Sequence, residues 1–245
     1  MNLLDTPAVR PLSARSVALS LLLGAGPQGL SSRELVALGD RFGVSPPTMR
    51  VALSRLATGG DVHAASGTYR LTGRHRWRQE RQDESLRPRT RPYDGSWAMI
   101  VVVSGGRSAA DRGVLRRELT AGRFAELREG VWMRPDTIAQ PVRPSDTGVV
   151  ELTTRPTDDR ELAARLWPLH PWAARGRWLL ERTNVDDLAE RLAVHAAIVR
   201  HLRDDPWLPT SLLPADWPGD ALRRADATFR SELSALRPSP AEENR

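Results

Sequence analysis

Wound at 100° per residue, the segment GVSPPTMRVALSRLATGG, residues 43–60, sorts its side chains by chemistry. Met49, Ala52, Leu53 and Leu56 form one apolar arc, and Pro47, Arg50, Val51 and Ser54 gather on the opposite side, with Thr48 and Arg55 at the boundary. A helix gripped by one face and offering short, cationic groups on the other has the dimensions to enter a DNA major groove. Arg50 is placed to fork onto a guanine edge, and Ser54 to reach a base or a phosphate. Ser45 is expected at the N-cap and Pro46 at the first helical position, where its missing N–H costs nothing; Pro47 is tolerated beside it. Ser45, Thr48 and the N–H groups of that first turn are then expected to meet phosphate oxygens, because a helix N-terminus carries partial positive charge. Arg55 borders the core and has a second reading as a brace to Glu34 or Asp40. The alternative for the whole face is a set of solvated arginines on a protein-interaction module.

The elements that must hold this helix are legible on either side of it. Ala14, Val17, Ala18, Leu21 and Leu22 share one face of a first helix, stopped by Gly24 and Gly26. Ser31-Ser32-Arg33-Glu34 is a capping box that opens a second helix running to about Phe42, and Gly43 ends it. After Gly59-Gly60, residues 61–65 and 68–72 flank the turn signal Ser66-Gly67 and read as a two-stranded hairpin. Three short helices and a hairpin over residues 10–75 make a winged helix-turn-helix. The wing tip is uncharged, which leaves Arg70, Arg74 and Arg76 as candidates for backbone contacts, or as ordinary solvated arginines.

Residues 76–92 read as a polar linker and connecting helix. The apolar run WAMIVVV from Trp97 suits a buried strand, 108–121 a helix behind it, and 130–134 and 148–153 further strands. That order points to a central ferredoxin-like α+β domain over residues 93–157. Residues 158–240 read as a C-terminal helical domain, with Leu188, Leu192, His195, Val199 and Leu202 in line on one helix and a last helix at about 221–236. The fold class expected is therefore α+β.

Composition narrows the function. All 36 basic residues are arginine. Residues 1–92 hold fourteen of them against seven acidic residues, and residues 93–245 hold twenty-two against twenty-three. The positive excess thus lies wholly in the N-terminal third, which favours a polyanion-binding module on a near-neutral body over the alternative of a basic solvated face. The absence of cysteine excludes disulfides and thiolate chemistry, and the five scattered histidines give no metal-ligand spacing. With no apolar run of eighteen residues, the expectation is a cytoplasmic protein without a membrane span, and no metal or cofactor is expected. Trp132, Trp167, Trp172 and Trp178 either line a pocket for a flat ligand or fill the core. Arg116, Arg117 and Arg134 are candidates to hold a phosphate, although no phosphate-binding glycine loop is present.

Three blocks of the chain resemble the PaaX-type transcriptional regulators, the repressors of phenylacetic acid catabolism and their relatives. These are VSPPTMRVALSRLATGGDV with YRLT after it, YDGSWAMIVV followed by LREGVWMRPD, and RDDPWLPTSLLPADWPG from Arg203 to Gly219. The resemblance implies a homodimeric repressor whose winged helix binds a palindromic operator on double-stranded DNA and is released by an acyl-CoA effector, an aryl-CoA thioester such as phenylacetyl-CoA. Related regulators govern other pathways. The middle domain of the family is similar to a small ferredoxin-like nuclease, but here the first strand leads into Ser104-Gly105-Gly106 where that nuclease needs an acidic metal ligand, so nuclease activity is not expected, and with no G-x-S-x-G motif either the chain is not expected to be an enzyme. The competing reading is a CoA-thioester hydrolase or metal-dependent nuclease built on the central domain. Trp132, Arg134 and His195 stand as candidates for effector contacts.

Overall fold

Glycine and capping chemistry set where the chain turns. In the computed structural model, which describes residues 9–73, 75, 83–103, 108–139 and 148–236, the chain is α+β with two antiparallel sheets. Its described elements are α1 Ala14–Ala25, β1 Leu30–Ser31, α2 Ser32–Arg41, α3 Pro46–Thr58, β2 Val62–Ala65, β3 Thr68–Leu71, β4 Trp97–Val102, α4 Ala109–Ala121, β5 Ala125–Arg128, β6 Val131–Pro135, β7 Val149–Thr154, α5 Asp159–Leu166, α6 Leu169–Leu180, α7 Leu188–Leu202 and α8 Gly219–Ala235. The contacts group them into two compact units, one of Met1–Leu86, Ala174–Asp204 and Pro218–Arg245, the other of Arg87–Ala173 and Asp205–Trp217.

In the first unit, α1 starts at Ser13, whose Oγ accepts from the Ser16 N–H, and α2 starts at the capping box, with Glu34 N–H donating to Ser31 Oγ and Ser31 N–H to Glu34 Oε2. Gly43, at φ 73°, turns the chain from α2 into α3. Gly39 lets the two helices close up, because a Cβ there would sit 2.4 Å from Met49 Cε. The turn between β2 and β3 has Ser66 at φ 49° and Gly67 at φ 75°, the two positive values that a two-residue hairpin of type I′ demands. β3 is central in the sheet β1-β3-β2, with Leu30 opposite Tyr69 and Val62 opposite Leu71. The core joins Leu21, Leu22, Leu35, Met49, Leu53 and Leu56 to Leu192 of α7 and Phe229 of α8. The helices of the chain's last third thus share a core with its first.

In the second unit the sheet order is β5-β6-β4-β7, every pair antiparallel. Ile100, Trp132, Phe124, Leu115 and Leu119 bury one cluster, and Trp97, Met133, Ala163, Leu169, Leu208 and Leu212 another. Alternation along β4 and β6 sends Ile100 and Trp132 to one cluster and Trp97 and Met133 to the other. Trp97 Nε1 donates to Tyr93 Oη at 2.8 Å, and that hydroxyl donates to Asp159 Oδ2 at 2.8 Å. Burial and the hydrogen bond to Asp159 push the Tyr93 hydroxyl up to about 12.

Candidate nucleic-acid interface

The apolar arc of α3 is buried as its spacing requires: Met49 is 0 %, Ala52 8 %, Leu53 1 % and Leu56 0 % exposed. The opposite face is open, with Pro47, Arg50, Val51, Ser54 and Arg55 all exposed. Among the described residues Arg50 and Arg55 have no ion pair or side-chain hydrogen bond, so the brace from Arg55 to Glu34 or Asp40 is not formed. Val51 at 50 % is a large apolar side chain left in solvent at the middle of this face. An unpaired guanidinium next to an uncovered isopropyl group gains nothing for the fold.

The start of α3 departs from expectation in one respect. Ser45 does hold the N-cap, but its side chain makes no hydrogen bond to a backbone N–H. Its Oγ lies 2.8 Å from Thr48 Oγ1 instead. Pro46 and Pro47 fill the first two helical positions, so Thr48 carries the first N–H that the helix can offer, and the Ser45 hydroxyl is turned to the Thr48 hydroxyl and not to that amide. An anion at this terminus would meet the two hydroxyl groups and that single amide, not the fan of amides an ordinary first turn presents.

Arg70 of β3 is exposed, and its Cγ lies 2.8 Å from where a Cβ on Gly29 would stand, so Gly29, at φ 73°, is held to glycine by the close approach of β3. Arg74 and Arg76 lie outside the described residues. Sequence reasoning missed the contact that ties the hairpin to α1. Asp61, 6 % exposed, accepts from Arg15 of α1 through Oδ2 and faces His75 Nε2 at 2.8 Å through Oδ1. The signal was present as a lone acid after Gly59-Gly60, but its two partners stand 46 positions before it and 14 after.

The remaining candidates are scattered. Arg134 is 3 % exposed, its Cζ 4.8 Å from the Phe124 ring centroid, its Nη1 donating to Pro135 O, and its pKa lowered first by burial. Arg116 is ion-paired to Glu126 at 2.6 Å, so Arg116 and Arg134 are spoken for by separate partners and hold no common phosphate site. His195 is 4 % exposed and stacks on Phe229 with ring centroids 4.0 Å apart, as a core histidine does. Trp132 lies in one cluster, Trp167 and Trp172 elsewhere in the same unit, Trp172 stacked on Trp217 at 4.1 Å, and Trp178 in the other unit. Residues 104–106, Ser-Gly-Gly in the sequence, lie outside the described residues. Among the described residues no helix is long and apolar enough to cross a membrane.

Comparison with known proteins adds three findings. A family model described as PaaX-like protein matches residues 13–75, the segment from the α1 cap to just beyond β3. Among solved structures, the uncharacterized protein Rv0674 from Mycobacterium tuberculosis is similar at 45 % identity and a TM-score of 0.81, over 92 % of this chain and 97 % of that one. No curated protein matches.

Proposed function

The chain belongs to the PaaX-like family, and from that premise we propose that it is a DNA-binding transcriptional regulator whose recognition element is α3. The observation that carries this reading is the α3 face: Arg50, Val51 and Ser54 exposed on one side of a helix whose other side is sealed. Arg50 reads a guanine edge and Val51 packs on a thymine methyl, while Ser45, Thr48, Arg55 and Arg70 hold backbone phosphates. Arg74 joins them by its place in the sequence. The element order α1-β1-α2-α3-β2-β3, with the type I′ turn at the hairpin tip, supports the winged helix-turn-helix reading of residues 10–75. In the central segment, 93–157, the chain order β4-α4-β5-β6-β7 and sheet order β5-β6-β4-β7 support the ferredoxin-like reading.

At a finer level the reading is a cytoplasmic homodimeric repressor on a palindromic operator, released by an aryl-CoA thioester and without catalytic activity. The block at 203–219 supports it through the family resemblance. Dimerisation through the body is supported by the edge strand β7, where Val150 is 41 % and Leu152 48 % exposed, an apolar edge that an isolated chain would leave in water. Release is supported by the shared core, since Leu192 and Phe229 give an event at α7 or α8 a packed route to α1 and α3.

Selection of binding sites from a pool of random duplexes tests the central reading. A recovered consensus with two related half-sites is the expected result. Recovery of unenriched sequence at low salt, with affinity vanishing as salt rises, overturns it.

A further inference from the structure

The sheet of the second unit ends in two strands, β5 and β7, that are finished differently. β5 has four residues, its register shifts between Glu126 and Arg128, and Glu126 is held by Arg116; an irregular, charged edge of this kind resists further pairing. β7 has six residues in unbroken register with β4, and its four central residues are exposed. Glu151 is the one charge among those six. Val150 and Leu152, 41 % and 48 % exposed, lie on the face of the sheet that carries Trp97. Val103, 60 % exposed, continues the same face beyond β4.

The hydrogen-bond phase of β7 decides which atoms its edge offers. Val103 N donates to Gly148 O at 3.1 Å, so the alternation of an antiparallel ladder turns the N–H and C=O groups of Val150, Leu152 and Thr154 to β4. Those of Val149, Glu151 and Thr153 point away from β4. A strand that pairs antiparallel with its own copy does so about a two-fold axis, and the residue on the axis fixes the register. With Glu151 on the axis, two carboxylates would face each other. With Thr153 there, two threonines exchange N–H···O bonds and Glu151 stands opposite Arg155 of the second copy on both sides of the axis. Leu152 then lies opposite Thr154 and diagonal to its own copy. Glu151 and Arg155 are both exposed. Arg155 is 3.2 Å from Asp94, but those side chains are 64 % and 68 % exposed, and a contact so open to water is exchanged at little cost.

We infer that β7 pairs antiparallel with β7 of a second copy of this chain about an axis at Thr153, joining the two sheets into one. The edge is complementary to itself, because Glu151 and Arg155 exchange places across the axis. Residues 93–245, with twenty-two arginines against twenty-three acidic residues, also meet their copy without net repulsion. The inference rests on the homodimer reading and adds the surface and the register.

Sedimentation equilibrium of the full chain without DNA tests it. The Thr153 N–H points away from β4, so Thr153→Pro leaves the monomer's ladder intact while removing a bond at the axis. Arg155→Glu and Glu151→Arg each set like charges opposite one another. A dimer is expected for the wild type, with a dissociation constant raised about tenfold or more in each of these three variants. The double reversal of Glu151→Arg with Arg155→Glu should recover most of the loss. Circular dichroism and melting temperature check each fold, and Thr153→Pro keeps the test alive should a charge variant fail to fold. Undiminished dimer affinity in folded Thr153→Pro and Arg155→Glu overturns the β7 interface and leaves the homodimer reading standing. No recovery in the double reversal overturns the register with Thr153 on the axis. A wild type that is monomeric at every concentration overturns the interface and the homodimer reading together.

Discussion

Arg50 on α3 and Arg134 on β6 are the same residue under opposite conditions. Arg50 is exposed and has no partner among the described residues, and the helix beneath it is held by Met49, Leu53 and Leu56 without its help. Arg134 is sealed over Phe124, donates to a backbone carbonyl and has Asp136 at 3.9 Å. An arginine in the first setting contributes nothing that folding needs and is available to a partner; one in the second is a structural part whose charge burial resists.

Breaking the comparison at its buried end has the largest effect. Arg134→Ala leaves a cavity over Phe124 and is expected to cost about 3 kcal/mol in urea unfolding, while Arg134→Met, which refills the volume without the charge, costs far less. Equal losses from both would show that the charge, not the packing, is what β6 requires. At the exposed end, Arg50→Ala should remove about 1–3 kcal/mol of discrimination between the selected site and one altered at its guanine, with unfolding stability changed by less than about 0.5 kcal/mol. A stability loss as large as that of Arg134→Ala would move Arg50 into the structural class.

Val51 sharpens the contrast on the same face. Replacing thymine by uracil in the selected site, which deletes one methyl group, should weaken wild-type binding by about 0.8 kcal/mol and leave Val51→Ala indifferent. The smallest effect is spectroscopic and belongs to the buried network. The chain has two tyrosines, and the Tyr93 step should appear in an absorbance titration near its raised value of about 12 and fall toward the ordinary 10.0 in Asp159→Asn. Since the folded state holds this proton more tightly, its contribution to stability is complete below pH 10 and is lost as the pH rises from there through the folded value. Titration of both tyrosines together would dismiss the Trp97–Tyr93–Asp159 chain.

Much of the first 75 residues could be read directly because the signals there are local. A capping box, a proline pair after Ser45, glycines at positive φ and a 3.6-residue apolar period each involve residues within one turn of one another. The exceptions are instructive. β1 is two residues long and precedes a capping box, so no period exists to mark it, and β5 has four residues with a register shift between Glu126 and Arg128 that breaks alternation.

By itself, the sequence determined which helix presents cations, where the chain turns in its first third and that the hairpin around Ser66-Gly67 would form, since those outcomes depend on neighbours in the chain. Only the tertiary structure decided that α7 and α8 share a core with α1, that Arg134 is buried while Arg50 is not, and that Asp61 joins Arg15 to His75. Each of these is a contact between distant segments, fixed by which apolar faces cover one another, and charge or periodicity along a single segment carries no record of the surface it will meet.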